Sequence, residues 1–246
     1  MAILLCTLLL VPLLTAVACR FSRDLHRVER CNVAGAAITA GLAFAVVARV
    51  ATQGPLIAYR HQVYVDALSA IMLGTITTLG VTAAIISPSY LRHDLAAGHV
   101  PGGRQGARWY FFGLHVFLWT MMVTVLVNNL GLLWVGIEAT TLASALLVGF
   151  YRTQAALEAA WKYVILCTVG ITCALFGVLL TYYAARQGGD TASLNWSTLS
   201  QAGTHLDPAL MRLAFAFILV GFGAKAGFAP LHTWLADAHS QAPSPV

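Results

Sequence analysis

Between Arg108 and Arg152 the chain carries one charged side chain, Glu138, and one turn signal, Asn128-Asn129-Leu130-Gly131. A run of about forty apolar residues is too long for a single helix across a hydrocarbon core of about 30 Å, which takes roughly 20 residues. The break therefore folds the run into two antiparallel spans joined by a tight turn. Such a pair commits the chain to a bilayer, where backbone N–H and C=O groups must be satisfied internally. The same length argument predicts seven spans, at 2–19, 33–51, 67–88, 108–127, 130–151, 159–185 and 209–239, the last of them broken. The predicted fold class is all-α, a polytopic transmembrane helix bundle.

Composition agrees, with 59% hydrophobic and 9% charged residues, far from the usage of water-soluble domains. The formal charge of +5 does not read as a nucleic-acid surface, because the Lys and Arg residues are scattered over short loops. Cys6, Cys19, Cys31, Cys167 and Cys173 show neither a CxxC nor any metal-ligand spacing, so no cofactor or metal is encoded and the thiols serve as small apolar fillers. Met1 to Cys19 lacks a basic start, its arginines coming after the apolar run, and reads as a retained first span.

Lys and Arg favour cytoplasmic loops. The loops after spans one, three and five carry Arg20/Arg23/Arg27/Arg30, Arg92/Arg104/Arg108 and Arg152, while the other loops carry only Arg60 and Arg186. This predicts an integral protein of a bacterial-type inner membrane with its N-terminus outside. The stretch Gly188 to Asp207 is expected to form a short hairpin or an interfacial helix on the outer face. Its Asn195-Trp196-Ser197 matches a glycosylation acceptor, a pattern common by chance. Gly98 to Gly106 is a basic, glycine-rich connector, and Asp66 is placed to cap the third span.

In the last span an apolar run from Leu213 to Ala224 meets Lys225, followed by Ala226-Gly227-Phe228-Ala229-Pro230. Gly227 and Pro230 are the two poorest helix formers, so the helix is expected to break just past its lysine. A cation at that depth is costly without a partner. Glu138 lies about eight residues into the fifth span, some 12 Å deep at 1.5 Å per residue. There it either stays protonated and hydrogen-bonded, to Thr140 or Thr141 for instance, or pairs with a cation, for which Lys225 is the candidate. Glu158 and Lys162 have the i,i+4 spacing of a helical ion pair. Lys162 suits either a charge relay toward Glu138 or a snorkelling anchor. His232 and His239, seven apart, are candidates for a proton relay or for structural hydrogen bonds; His115, inside the fourth span, reads as structural.

No nucleophile elbow, His-Glu-x-x-His, dinucleotide-binding glycine motif or haem-attachment motif occurs. The chain thus reads as a non-catalytic membrane subunit without a redox centre, its chemistry being proton movement. Three stretches then carry a resemblance: Trp134-Val135-Gly136-Ile137-Glu138-Ala139-Thr140-Thr141-Leu142, Glu158-Ala159-Ala160-Trp161-Lys162-Tyr163, and Lys225-Ala226-Gly227-Phe228-Ala229-Pro230-Leu231-His232-Thr233-Trp234-Leu235-Ala236-Asp237-Ala238-His239. From about Asp66 onward the chain resembles the antiporter-like proton-translocating membrane subunits of respiratory complex I, multisubunit cation/proton antiporters and membrane-bound hydrogenases. The likeness is to the F component of the hydrogenase-4/formate hydrogenlyase group in particular.

The resemblance implies that Glu138 and Lys225 form an ion pair whose making and breaking gates proton passage, with Lys162, His232 and His239 in matching motifs. It implies partners among the other membrane subunits of a hydrogenase or complex I-like assembly, in a lipid bilayer and without nucleic acid. Family members hold two inverted repeats of five helices after their opening helices and are about twice this long. Residues 1–107 would then hold N-terminal helices 1–3, and 108–246 an incomplete first repeat, helices 4–7. On this reading the isolated chain is expected not to conduct protons. A non-conducting scaffold and a component of a cation/proton antiporter are the rival readings.

Overall fold

The computed structural model describes residues 2–187, 193–203 and 206–246. Its helices are α1 (Ala2–Phe21), α2 (Leu25–Gln53), α3 (Ala67–Ala96), α4 (Arg104–Leu126), α5 (Leu130–Val148), α6 (Gln154–Gln187), α7 (Trp196–Ala202), α8 (Pro208–Ala226) and α9 (Thr233–Gln241). Among the described residues seven of these, all but α7 and α9, are long and apolar enough to cross a membrane. The protein is an all-α polytopic helix bundle. One antiparallel ribbon interrupts it between α2 and α3: β1 (Leu56–Ala58) and β2 (Val63–Val65), with Leu56 opposite Val65.

Several helices outrun the apolar stretches that announced them, and polar bonds, some local and some between distant residues, explain why. Asp24 caps α2 by accepting from His26 N–H, so the helix starts before its apolar part. Its buried Glu29 meets Arg92 Nε at 3.0 Å. The third span, expected to stop at Pro88, continues to Ala96. Proline has no N–H for the carbonyl four residues back, that of Ala84. Asn32 Nδ2 donates to Ala84 O at 2.7 Å instead, and Asn32 Oδ1 meets His115 Nε2 at 3.1 Å. His115 is thus structural: it steadies the asparagine that completes a proline-interrupted helix. Asp66 caps α3, accepting from Ser69 N–H at 2.8 Å, as expected.

The Asn128-Asn129 turn does more than reverse the chain. Asn129 caps α5, accepting from the Gly131 and Leu132 N–H groups. Asn128 donates from Nδ2 to His61 O (2.7 Å) and Ser197 Oγ (2.8 Å), and its carbonyl accepts from Trp196 N–H at 2.7 Å. Two asparagines therefore tie the ribbon, the α4–α5 turn and α7 into one rim. The hairpin-or-helix expectation for 188–207 is met in part by α7; residues 188–192, 204 and 205 lie outside the described set. At the opposite, arginine-rich end Tyr151 donates to the buried Asp94 carboxylate and pairs with Tyr90. Burial first, then the Asp94 carboxylate, push the Tyr151 phenol well above its ordinary range, so it remains a donor there.

The larger core gathers α1 to α4 around Leu5, Leu8, Leu73, Tyr110, Phe111 and Met122. A second joins α5, α6 and α9 through Tyr163, Cys167, Trp234 and Ala238. The tightest helix pairing is α6 with α8, which meet through small residues. A Cβ on Gly221 would stand 2.4 Å from Ala174 N, one on Gly177 2.7 Å from Ala214 O, and one on Gly170 2.4 Å from Ala224 Cβ. In lipid such small-residue seams let backbones approach where no hydrophobic effect draws helices together.

Candidate functional site

The break after Lys225 forms where expected. Gly227 caps α8 in the left-handed region (φ 80°, ψ 34°), and Phe228 N–H reaches back to Gly223 O at 2.8 Å. Only glycine enters that conformation without a Cβ clash. The chain then turns through Pro230 and restarts as α9. The carbonyl of Ala224, which accepts from Gly227 N–H at 3.3 Å, also accepts from Trp234 Nε1 at 3.0 Å. The indole thereby folds α9 back against α6, with its ring 4.8 Å from that of Tyr163.

Lys225 sits half-buried in the last turn of α8, where the helix dipole favours a cation. Its ammonium donates to Thr141 Oγ1 at 2.9 Å and to Tyr163 OH, and lies 4.6 Å from the Tyr163 ring centroid. Ser144 Oγ, 2.8 Å from Tyr163 OH, donates onward to Thr140 O at 2.7 Å. Each hydroxyl has one proton, so the bonds run in one direction, from Lys225 through Tyr163 and Ser144 to the α5 backbone.

Glu138 and Lys225 are not in ion-pair contact, contrary to expectation. Glu138 Oε1 accepts from Thr168 Oγ1 at 2.8 Å, while Oε2 is buried and has no hydrogen-bond partner. The physical reason is competition: two hydroxyls and an aromatic face on neighbouring helices satisfy the ammonium, and Thr168 satisfies half of the carboxylate. The two groups are nonetheless neighbours. Thr141 lies three residues along α5 from Glu138, a rise of about 4.5 Å.

Lys162 bridges Glu158 Oε1 (2.7 Å) and Asp237 Oδ2 (3.1 Å), all three side chains being about half exposed. The i,i+4 pair is present, and α9 adds a second carboxylate. Lys162 lies six residues along α6 from Thr168, the partner of Glu138, a rise of about 9 Å. His232 and His239 are exposed and make no side-chain hydrogen bond among the described residues. His232 precedes the first residue of α9, so the face expected from their spacing is not a helical one, and neither ring reaches Lys225. No cluster of three or more His, Cys, Asp or Glu side chains able to hold a metal occurs among the described residues.

Reading the chain alone missed Tyr163, Ser144, Thr168 and Trp234 as neighbours of the buried charges. One signal was available. Glu138, Thr141 and Ser144 recur every three residues, which draws a polar stripe down one face of an apolar helix.

Comparison with known proteins adds the kinship. Residues 127–246 match the family described as NADH:quinone oxidoreductase/Mrp antiporter, transmembrane. A hydrogenase-4 component F homolog from Methylacidiphilum infernorum is 41% identical over 184 residues, 74% of this chain and 38% of that protein. NADH-quinone oxidoreductase subunit N from Halorhodospira halophila is 33% identical over 183 residues, 74% of this chain and 35% of it. The chain thus spans little more than a third of the length of these curated relatives. The fold is shared with a subunit of the membrane-bound sulfane sulfur reductase, an archaeal respiratory membrane complex, at a TM-score of 0.80 and 22% identity over 98% of this chain and 48% of that one. With Glu138, Lys162 and Lys225 inside the matching residues, the stretch 127–246 belongs to the NADH:quinone oxidoreductase/Mrp antiporter transmembrane family, to which the chain's likeness to the hydrogenase-4 and NADH-quinone oxidoreductase components also points.

Proposed function

We propose that the chain moves protons within a redox-driven membrane assembly of the hydrogenase or NADH-dehydrogenase type, and that Glu138 and Lys225 are its working charges. The supporting observation is the position of Lys225: a cation held on Thr141 and Tyr163, one helical turn from a carboxylate whose Oε2 is unpartnered. A swing of the flexible lysine chain from Tyr163 to Glu138 would exchange two hydroxyl bonds for an ion pair. Such a two-position cation changes the proton affinity of Glu138, because a nearby cation favours the ionised carboxylate. The Lys162–Glu158–Asp237 cluster stands on the arginine-rich side of this site and would serve as its mouth. Residues 1–107 are then a supporting bundle and 108–246 the part that carries the path.

Tyr163→Phe tests the reading. It keeps the ring under Lys225 and removes the hydroxyl that holds it in the parted position. A hydrogen bond to a charged group contributes about 1.5–3 kcal/mol. The variant complex is therefore expected to pump protons about tenfold more slowly, with assembly intact, as followed by acidification of inside-out vesicles. An unchanged rate would remove Tyr163 from the mechanism.

The same reading puts the N-terminus outside a bacterial-type inner membrane, with the arginine-rich loops in the cytoplasm. Single cysteines placed near Arg27 and Gly102 are expected to react with an impermeant maleimide only from the cytoplasmic side, and one near Asn195 only from outside. The reverse pattern would overturn the orientation.

A further inference from the structure

A cavity of about 970 Å³ lies between α4, α5 and α6, on the bundle's lateral surface at the arginine-rich end. Its walls are Phe112, Val116, Leu142, Leu146, Trp161 and Val164, with Leu146 76% exposed and Trp161 63% exposed. Along α4 it runs from Gln105 to Val116, eleven residues or about 16 Å. That is half of a hydrocarbon core of about 30 Å, so the groove spans one leaflet and stops at the mid-plane.

Its mouth is positive. Arg152 lines it, is exposed, and has no carboxylate within ion-pair distance among the described residues. Arg20 stacks its guanidinium 4.4 Å from the centroid of Trp109, another wall residue. The N-terminus of α4 opens beside it with neither a side-chain cap nor an acidic residue in its first turn. A second cavity, of about 720 Å³ in the opposite half of the bundle, is lined among the described residues by Asp66 and by no lysine or arginine. The two clefts thus differ in charge.

We infer that this groove seats one anionic phospholipid of the arginine-side leaflet, its phosphate at Arg152 and an acyl chain along Leu142 and Leu146. The exposed Arg152 at its mouth, without a carboxylate partner among the described residues, argues for an anionic headgroup over the apolar face of a transmembrane helix as occupant. The apolar walls argue against free phosphate, which has nothing to place there. Basic clefts between spans are suited to acidic headgroups, and one arginine near an anionic surface is worth about fivefold in affinity.

The test uses the full chain purified in detergent, exposed to phosphatidylglycerol or phosphatidylcholine, with bound lipid counted by native mass spectrometry. One phosphatidylglycerol per chain is expected, with a preference over phosphatidylcholine that Arg152→Gln lowers about fivefold and Arg152→Lys largely keeps. Leu146→Trp, a change at a lipid-facing position that fills the groove without touching the core, is expected to lower retention of both lipids. Equal retention of the two lipids by the unaltered chain would overturn the assignment. So would an Arg152→Gln variant no different from Arg186→Gln, or full displacement by glycerol 3-phosphate, which would indicate a phosphate site without a lipid.

Discussion

Glu138→Gln is expected to abolish proton translocation by the assembled complex while leaving it assembled. Glutamine has the same shape, and its amide oxygen can still accept the hydroxyl of Thr168, which Glu138 Oε1 accepts at 2.8 Å. What is lost is the proton-binding group itself, at a site with a lysine one helical turn away and no nearer carboxylate on α5. On the proposed function Glu138 loads and releases a proton, and removing such a group leaves no partial substitute, in contrast to removal of one hydrogen bond among several. Acidification of inside-out vesicles, with electron transfer measured in parallel, reads the outcome. Pumping at the rate of the unaltered complex would exclude Glu138 from the path. Lys162→Gln is expected to do much less, because Lys162 is about half exposed between Glu158 and Asp237, where water supports the charges it leaves behind.

The second large effect is on stability. Gly221→Val is expected to separate α8 from α6, at a cost of about 3 kcal/mol or more, the upper end for overpacked interfaces. The obstacle is not a side chain that could turn aside: the first added carbon would stand 2.4 Å from Ala174 N and 2.7 Å from Ala174 Cα. Either α8 moves away or the helix bends, and Lys225, one turn further along, leaves Thr141 and Tyr163 in both cases. Gly41→Val is the control, since a Cβ there meets nothing within 4 Å. Thermal unfolding in detergent should show the Gly221 variant melting far earlier and the Gly41 variant close to the unaltered chain. Equal melting of the two would mean that the α6–α8 seam contributes little.

Much of the architecture was legible because a bilayer admits few solutions. Apolar length alone located all seven spanning helices, since any stretch of roughly 20 such residues must cross as a helix. The break after Lys225 was legible for an equally local reason, as Gly227 and Pro230 act on their own backbone. Asp66 as a cap and Glu158 with Lys162 belong to the same class. The late end of α3 came instead from a bond between distant residues. Nothing near Pro88 announces that Asn32, 52 residues away from Ala84, will take up the carbonyl the proline frees.

The sequence by itself determined that this protein is a membrane-embedded helix bundle with one carboxylate and one lysine in apolar surroundings, because hydrophobic length, charge scarcity and helix-breaking residues are additive along the chain. Its motifs also determined the family. Only the tertiary structure decided what those two charges touch. Whether Lys225 meets Glu138 or parks on Tyr163 depends on how closely α8 approaches α6, and that approach is set by Gly170, Gly177 and Gly221, residues whose role lies in the side chain they lack. Which of several hydrogen-bonding groups within reach an ammonium chooses is a matter of ångströms, and spacing along one helix carries no information about distances between two.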